Sequence, residues 1–174
     1  MENCLMKKLL GCLVLGLGLM AGNAHADGVS AKMYYGAGLS DGSVEIANGT
    51  DKSLGTVSAV VGLQLLDFVG IELSLGAGSD QTASILSEPL VTYQAALLRL
   101  GYRWDRVGVY ILGGQARMDI DSQFNNSDAG NAFGFGINLF GNETTALNFN
   151  VLNLDDGAFS TATIGFQYYF GGFR

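Results

Sequence analysis

Beyond residue 26 the chain has neither cysteine nor histidine: Cys4, Cys12 and His25, the only ones present, all precede that point. If the leader is removed, Ser-His-Asp and Cys-His catalysis are excluded, and so are imidazole and thiolate metal sites. Proline occurs once, at Pro89, and charged residues make up only 14% of the sequence. No apolar run is long enough for a membrane-spanning helix, which needs about 20 residues; the run from Leu9 to Gly22 has 14. Bases are scarce as well. From Asp27 onward, 7 Lys and Arg stand against 15 Asp and Glu, a net charge of −8 that argues against nucleic acid as a partner.

The leader has the parts of a secretory signal: Lys7 and Lys8, the apolar run, then Ala24-His25-Ala26 as a small-x-small cleavage site. Leu9-Leu10-Gly11-Cys12 also looks like a lipoprotein box. Only two apolar residues separate Lys8 from Gly11, however, so acylation at Cys12 would leave no hydrophobic segment for export, and cleavage after Ala26 is the preferred reading. Residues 27–174 are then one domain, and 22 of the 26 glycines fall within it.

What the sequence has in abundance is alternation. Val57, Ala59, Val61, Leu63 and Leu65 share one face, as do Val69, Ile71, Leu73, Leu75 and Ala77. Phe133, Phe135, Ile137 and Leu139 do the same, and so do Ala162, Ile164, Phe166, Tyr168 and Phe170. In these four segments one face is apolar at 19 of 19 positions and the other is Gly or polar at 14 of 16, a period of two that means strands. Further strands are expected at Lys32 to Ser40, Leu90 to Arg103, Val107 to Arg117 and Ala146 to Leu152. The upper half of Leu90 to Arg103 has no clear face, and Val107 to Arg117 has no assignable register.

Eight strands joined alternately by short turns and longer connections (41–54, 79–89, 118–130 and a tight one at 155–157) describe an antiparallel up-and-down barrel. A soluble barrel with its apolar face inward is the competing arrangement. The Gly, Ser, Thr, Asn and Gln face suits a narrow polar interior better than a solvent-facing surface, so the apolar face is expected to meet lipid, as a transmembrane β-barrel. Phe68, Tyr102, Trp104, Phe140, Tyr168 and Phe170 lie near the short-turn ends and are expected to form an interfacial girdle.

Thr163-Ile164-Gly165-Phe166-Gln167-Tyr168-Tyr169-Phe170 resembles the C-terminal signal of bacterial outer-membrane barrels, polar-x-Gly-x-x-aromatic-x-aromatic. The whole chain after the leader resembles the small outer-membrane barrels of the opacity-protein, OmpA transmembrane-domain and OmpX type, and Gly101-Tyr102-Arg103 followed by Val109 to Gly114 is similar to a strand pair of that family. The resemblance implies residence in the bacterial outer membrane, contact with its lipid and lipopolysaccharide, and recognition by the barrel assembly machinery through Thr163, Gly165, Tyr168 and Phe170. It departs from the family in that Gly171-Gly172-Phe173-Arg174 follow the terminal aromatic.

Three candidate sites remain. Lys32, Glu72, Arg99 and Arg103 fall on the inner face, where an unpaired charge is costly, so Glu72 is expected to pair with Lys32 or Arg99. They form either a gate or a static plug, and the plug is preferred because eight strands enclose room only for side chains. Ten acids (Asp41, Glu45, Asp51, Asp80, Glu88, Asp119, Asp121, Asp128, Asp155 and Asp156) crowd the long connections. Asp119 to Gly130 begins like a calcium loop but lacks its glycine and its final Glu, so weak divalent bridging or plain solvation is preferred and no metal site is assigned. Adjacent Asp155 and Asp156 point apart in a strand or loop, so acid/base catalysis is not expected. The expectation is a monomeric, non-enzymatic barrel without cofactor, acting structurally or in surface recognition through its loops; the alternative is a narrow channel for small solutes or ions.

Overall fold

The computed structural model describes residues 31–46, 50–65, 68–80, 91–120, 127–154 and 159–171; the leader and its cleavage site lie outside them. Eight strands, β1 (Ala31–Ile46), β2 (Thr50–Leu65), β3 (Val69–Asp80), β4 (Val91–Trp104), β5 (Val107–Ile120), β6 (Ser127–Phe140), β7 (Thr145–Leu154) and β8 (Phe159–Phe170), pair antiparallel in chain order and close where β8 meets β1. Following the ladder from Met33 through Leu63, Ile71, Leu98, Gly113, Phe133, Asn153 and Ser160 returns to Ser43, ten residues further along β1. With ordinary strand rise and spacing, that stagger tilts the strands by about 40° from the axis. Each residue then climbs about 2.5 Å, so a strand of 16 residues reaches well beyond an apolar band about 25 Å tall.

The apolar faces point outward. Leu39 is 69% exposed and Phe166 71%, with Val61, Ile71, Leu98, Ile111, Phe135 and Ile164 also exposed. Outward residues turn polar at Asp41, Gln94, Gln115 and Asn131, which marks the upper edge of the band. Two of the long connections expected from the sequence are mostly strand. Residues 41–46 and 50–54 continue the β1–β2 ladder, and 118–120 and 127–130 continue β5 and β6. Above the band the outward face meets water, so Asp41, Ser43 and Ser53 carry no apolar alternation although the hydrogen-bonded ladder goes on.

At the other end the turns are tight. Trp104 pairs with Val107 across a two-residue turn in which Asp105 adopts φ 44°, the left-handed region that Asp tolerates. The β6–β7 turn is held by Asn142, whose Oδ1 accepts the Thr144 and Thr145 backbone N–H groups at 2.9 and 2.7 Å.

Three lumen tyrosines each require a glycine opposite them. Tyr34, Tyr93 and Tyr110 stand directly across the ladder from Gly62, Gly76 and Gly136, and a Cβ on any of these glycines would fall on the tyrosine ring. Gly136→Ala is expected to destabilise the barrel by about 1–3 kcal/mol through overpacking. Gly113→Ala, on the outer face with nothing within 4 Å of its Cβ position, should stay within about 0.5 kcal/mol. Equilibrium denaturant unfolding in phospholipid bilayers measures both, and equal effects would refute the steric account.

Candidate functional site in the barrel lumen

The lumen has two halves of different chemistry. Toward the short turns lies a polar network centred on Glu72 of β3 and Arg99 of β4, both buried. Arg99 Nη1 stands 3.4 Å from Glu72 Oε2, and the Tyr34 hydroxyl donates to the same oxygen at 2.7 Å. The guanidinium lies 3.7 Å over the Tyr110 ring and 5.1 Å from that of Tyr34, so cation–π contact supplements a long ion pair. Amides extend the network. Asn138 Nδ2 donates to Gln167 Oε1 and the Tyr169 hydroxyl at 3.0 and 2.6 Å, and Asn148 Nδ2 donates to the Tyr110 hydroxyl and Asn138 Oδ1, both at 2.6 Å.

The half toward the loops is apolar, which differs from the polar interior expected. Leu54, Val91, Tyr93, Met118, Leu154 and Phe159 form a packed cluster with Ala116, Ala132 and Leu152. These residues alternate in sequence with the polar ring at the upper edge of the band, so the cluster closes the lumen at about that level. Among the described residues the hydroxyls of Thr56 and Thr161 are buried without a protein hydrogen-bond partner.

Two small cavities are formed by the described residues. One, about 30 Å³, opens at the short-turn mouth and is bordered by Lys32, Gln64, Arg99, Arg103, Asn138 and Tyr169, among others. The second, about 20 Å³, is lined by Glu72, Ser74, Asn148, Asn150, Thr163 and Gln167, among others. Each has room for one or two waters, and the Arg99–Glu72 pair lies between them.

Of the four inner-face charges, then, Glu72 and Arg99 meet in one pair. Lys32 lines the mouth cavity instead, and Arg103 turns to the rim, where its Nε donates to the Asp105 carbonyl at 2.9 Å and its guanidinium covers the Phe140 ring at 3.8 Å. Phe140 corrects the expected girdle: it is 8% exposed and packs inside against Tyr169, because Leu139 takes the outward position at the end of β6. Tyr102, Trp104, Tyr168 and Phe170 are exposed on the outer face near the short turns, with Tyr102 and Trp104 edge to face at 4.9 Å, and Phe68 is exposed in the β2–β3 turn, where it borders the mouth cavity. Thr163 and Gly165 face the lumen, Thr163 donating to the Ser40 hydroxyl at 2.9 Å. The loop acids beyond residue 120 and the calcium-like segment lie largely outside the described residues.

Tyr34, Tyr110 and Tyr169 complete this network and were not singled out by sequence. For Tyr34 and Tyr110 the available signal was an inner tyrosine facing a glycine across the ladder; Tyr169 faces Tyr34 and offered no such signal.

A closed antiparallel barrel with an apolar exterior, an aromatic rim and a filled lumen defines a small transmembrane barrel of the bacterial outer membrane. The profile of the outer membrane protein beta-barrel domain family matches residues 12–170, and the chain belongs to that family. Among solved structures, the barrel is similar to Ail, the attachment invasion locus protein of Yersinia pestis (15% identity, TM-score 0.57, covering 80% of this chain and 99% of that one). It is also similar to Neisserial surface protein A (12%, 0.54, 83% and 100%) and to the N-terminal β-barrel domain of Pseudomonas aeruginosa OprF (16%, 0.52, 82% and 97%). At these identities the likeness is one of fold. No curated protein sequence matches significantly.

Proposed function

We propose that this protein is a non-enzymatic surface-interaction barrel of the outer membrane, a closed scaffold whose loops bind partners outside the cell. The observation that carries this reading is the apolar cluster at the loop end of the lumen. Among the described residues it sets apolar side chains across the loop end of the lumen and gives the hairpins that rise above the membrane a packed base. The resemblance in fold to a protein named for attachment and invasion supports the same reading. Ail has been crystallised with a heparin analogue, but the ten loop acids here favour a basic or cation-bridged partner over a sulfated one. Lipopolysaccharide and membrane lipid surround the barrel. Tyr168 and Phe170, outward on the last strand, are the side chains we assign to recognition by the assembly machinery.

Replacing residues 47–49, 81–90, 121–126 and 155–158 with Gly-Ser linkers should abolish attachment of expressing bacteria to cultured cells while leaving the heat-modifiable gel mobility of a folded barrel intact. Unchanged attachment would refute the proposal. In planar bilayers the intact protein should pass no steady single-channel current; discrete ion-dependent steps would favour the channel reading instead.

A further inference from the structure

The lumen carries unequal charge. Among the described residues its inner half holds Lys32, Arg99 and Arg103 against one acid, Glu72, and that acid is already engaged by Arg99 and the Tyr34 hydroxyl. Among the described residues Lys32 has no acidic partner, and Arg103 is held by a backbone carbonyl and an aromatic ring, neither of which neutralises it. Two positive charges are thus left facing the mouth cavity, beside the amides of Gln64 and Asn138 and the ring of Tyr169.

We propose that this mouth is a binding site for a single small oxyanionic group, a carboxylate or a phosphate, entering from the short-turn side. Lys32 sits on β1 and Arg103 on β4, so the two cations border the same opening from separate strands. The walls are low-dielectric and partly aromatic, which strengthens a charge-assisted contact relative to open water. About 30 Å³ of free space admits the charged end of a ligand and little else. The anion is held rather than conducted, because the Arg99–Glu72 pair and then the apolar cluster block the way onward. The site is independent of the surface-interaction reading, since it lies at the opposite end of the barrel. The same chemistry could come from a soluble anion or from the headgroup of an anionic phospholipid in the inner leaflet.

The test is calorimetric titration of inorganic phosphate and of acetate into the protein extracted from outer membranes, in a detergent that carries no phosphate. One-site saturable binding is expected for at least one of them, weakened tenfold or more in the Lys32→Gln/Arg103→Gln variant and unchanged in Arg117→Gln at the other end of β5. Absence of saturable heat, or equal affinity in the double variant, overturns the site. Each variant is first checked for the gel shift of a closed barrel, and should the double variant fail to fold, Lys32→Gln alone is read, with a threefold or greater loss expected and no loss counting against the site. Repeating the phosphate titration in bilayers separates the sources, and either result upholds the site. Phosphate binding retained in zwitterionic lipid but lost when anionic phospholipid is added identifies a headgroup, whereas binding retained in both identifies a soluble anion.

Discussion

Arg99→Met is expected to destabilise the barrel by about 3–5 kcal/mol, the usual effect of removing one partner from a buried ion pair. Glu72 would be left charged, buried and held only by the Tyr34 hydroxyl. The loss would not come from the pair's own attraction, which is modest at 3.4 Å, but from the desolvation of the carboxylate that remains. A second variant separates these causes. With Glu72→Gln added to Arg99→Met, no charge is stranded, the tyrosine ring keeps an apolar neighbour, and stability should return to within about 1 kcal/mol of the parent. Urea unfolding in phospholipid bilayers, followed by fluorescence of Trp104, the only tryptophan, gives both values. If Arg99→Met costs less than about 1 kcal/mol, water reaches the pair freely and the lumen is not the sealed plug described above.

The division of the lumen also explains which strands could be read from the sequence. β2, β3, β6 and β8 alternate cleanly where their inner positions are Gly, Ser, Thr or Asn, and those positions lie largely in the polar half or against a tyrosine ring. β5 could not be read because its inner face carries Tyr110, Leu112, Ala116 and Met118 while its outer face carries Val109 and Ile111. The upper half of β4 fails for the same reason, with Val91, Tyr93, Ala95 and Leu97 inside and Ala96 and Leu98 outside. An apolar interior removes the contrast on which a period-two reading depends. The barrel, its inside-out polarity and the inner-face placing of Lys32, Glu72, Arg99 and Arg103 followed from alternation. Alternation left both Lys32 and Arg99 open as the partner of Glu72, because the choice depends on the register of β3 against β4, which no single strand encodes; Phe140 was misplaced by its nearness to the short turn, although Leu139 on the apolar face already put it on the inner one.

Ile111→Arg tests the lipid-facing assignment most directly. Ile111 is 56% exposed, pairs with Leu100 and Phe135 on the neighbouring strands, and lies near the middle of the apolar band. In water an arginine on an exposed strand position costs almost nothing, so a soluble barrel would tolerate the change within about 0.5 kcal/mol. In a bilayer an outward arginine at the midplane of a barrel costs about 2–4 kcal/mol, falling to about 0–1 near the interface. Gln94→Arg, at the polar ring above the band, supplies that interfacial comparison on the adjacent strand. A large loss at Ile111 with a small one at Gln94 is the expected depth profile. Equal losses would mean that the upper edge of the band has been drawn in the wrong place, because that edge rests on the change from Ala96 and Leu98 to Gln94 along one face of β4 and on its counterparts around the barrel.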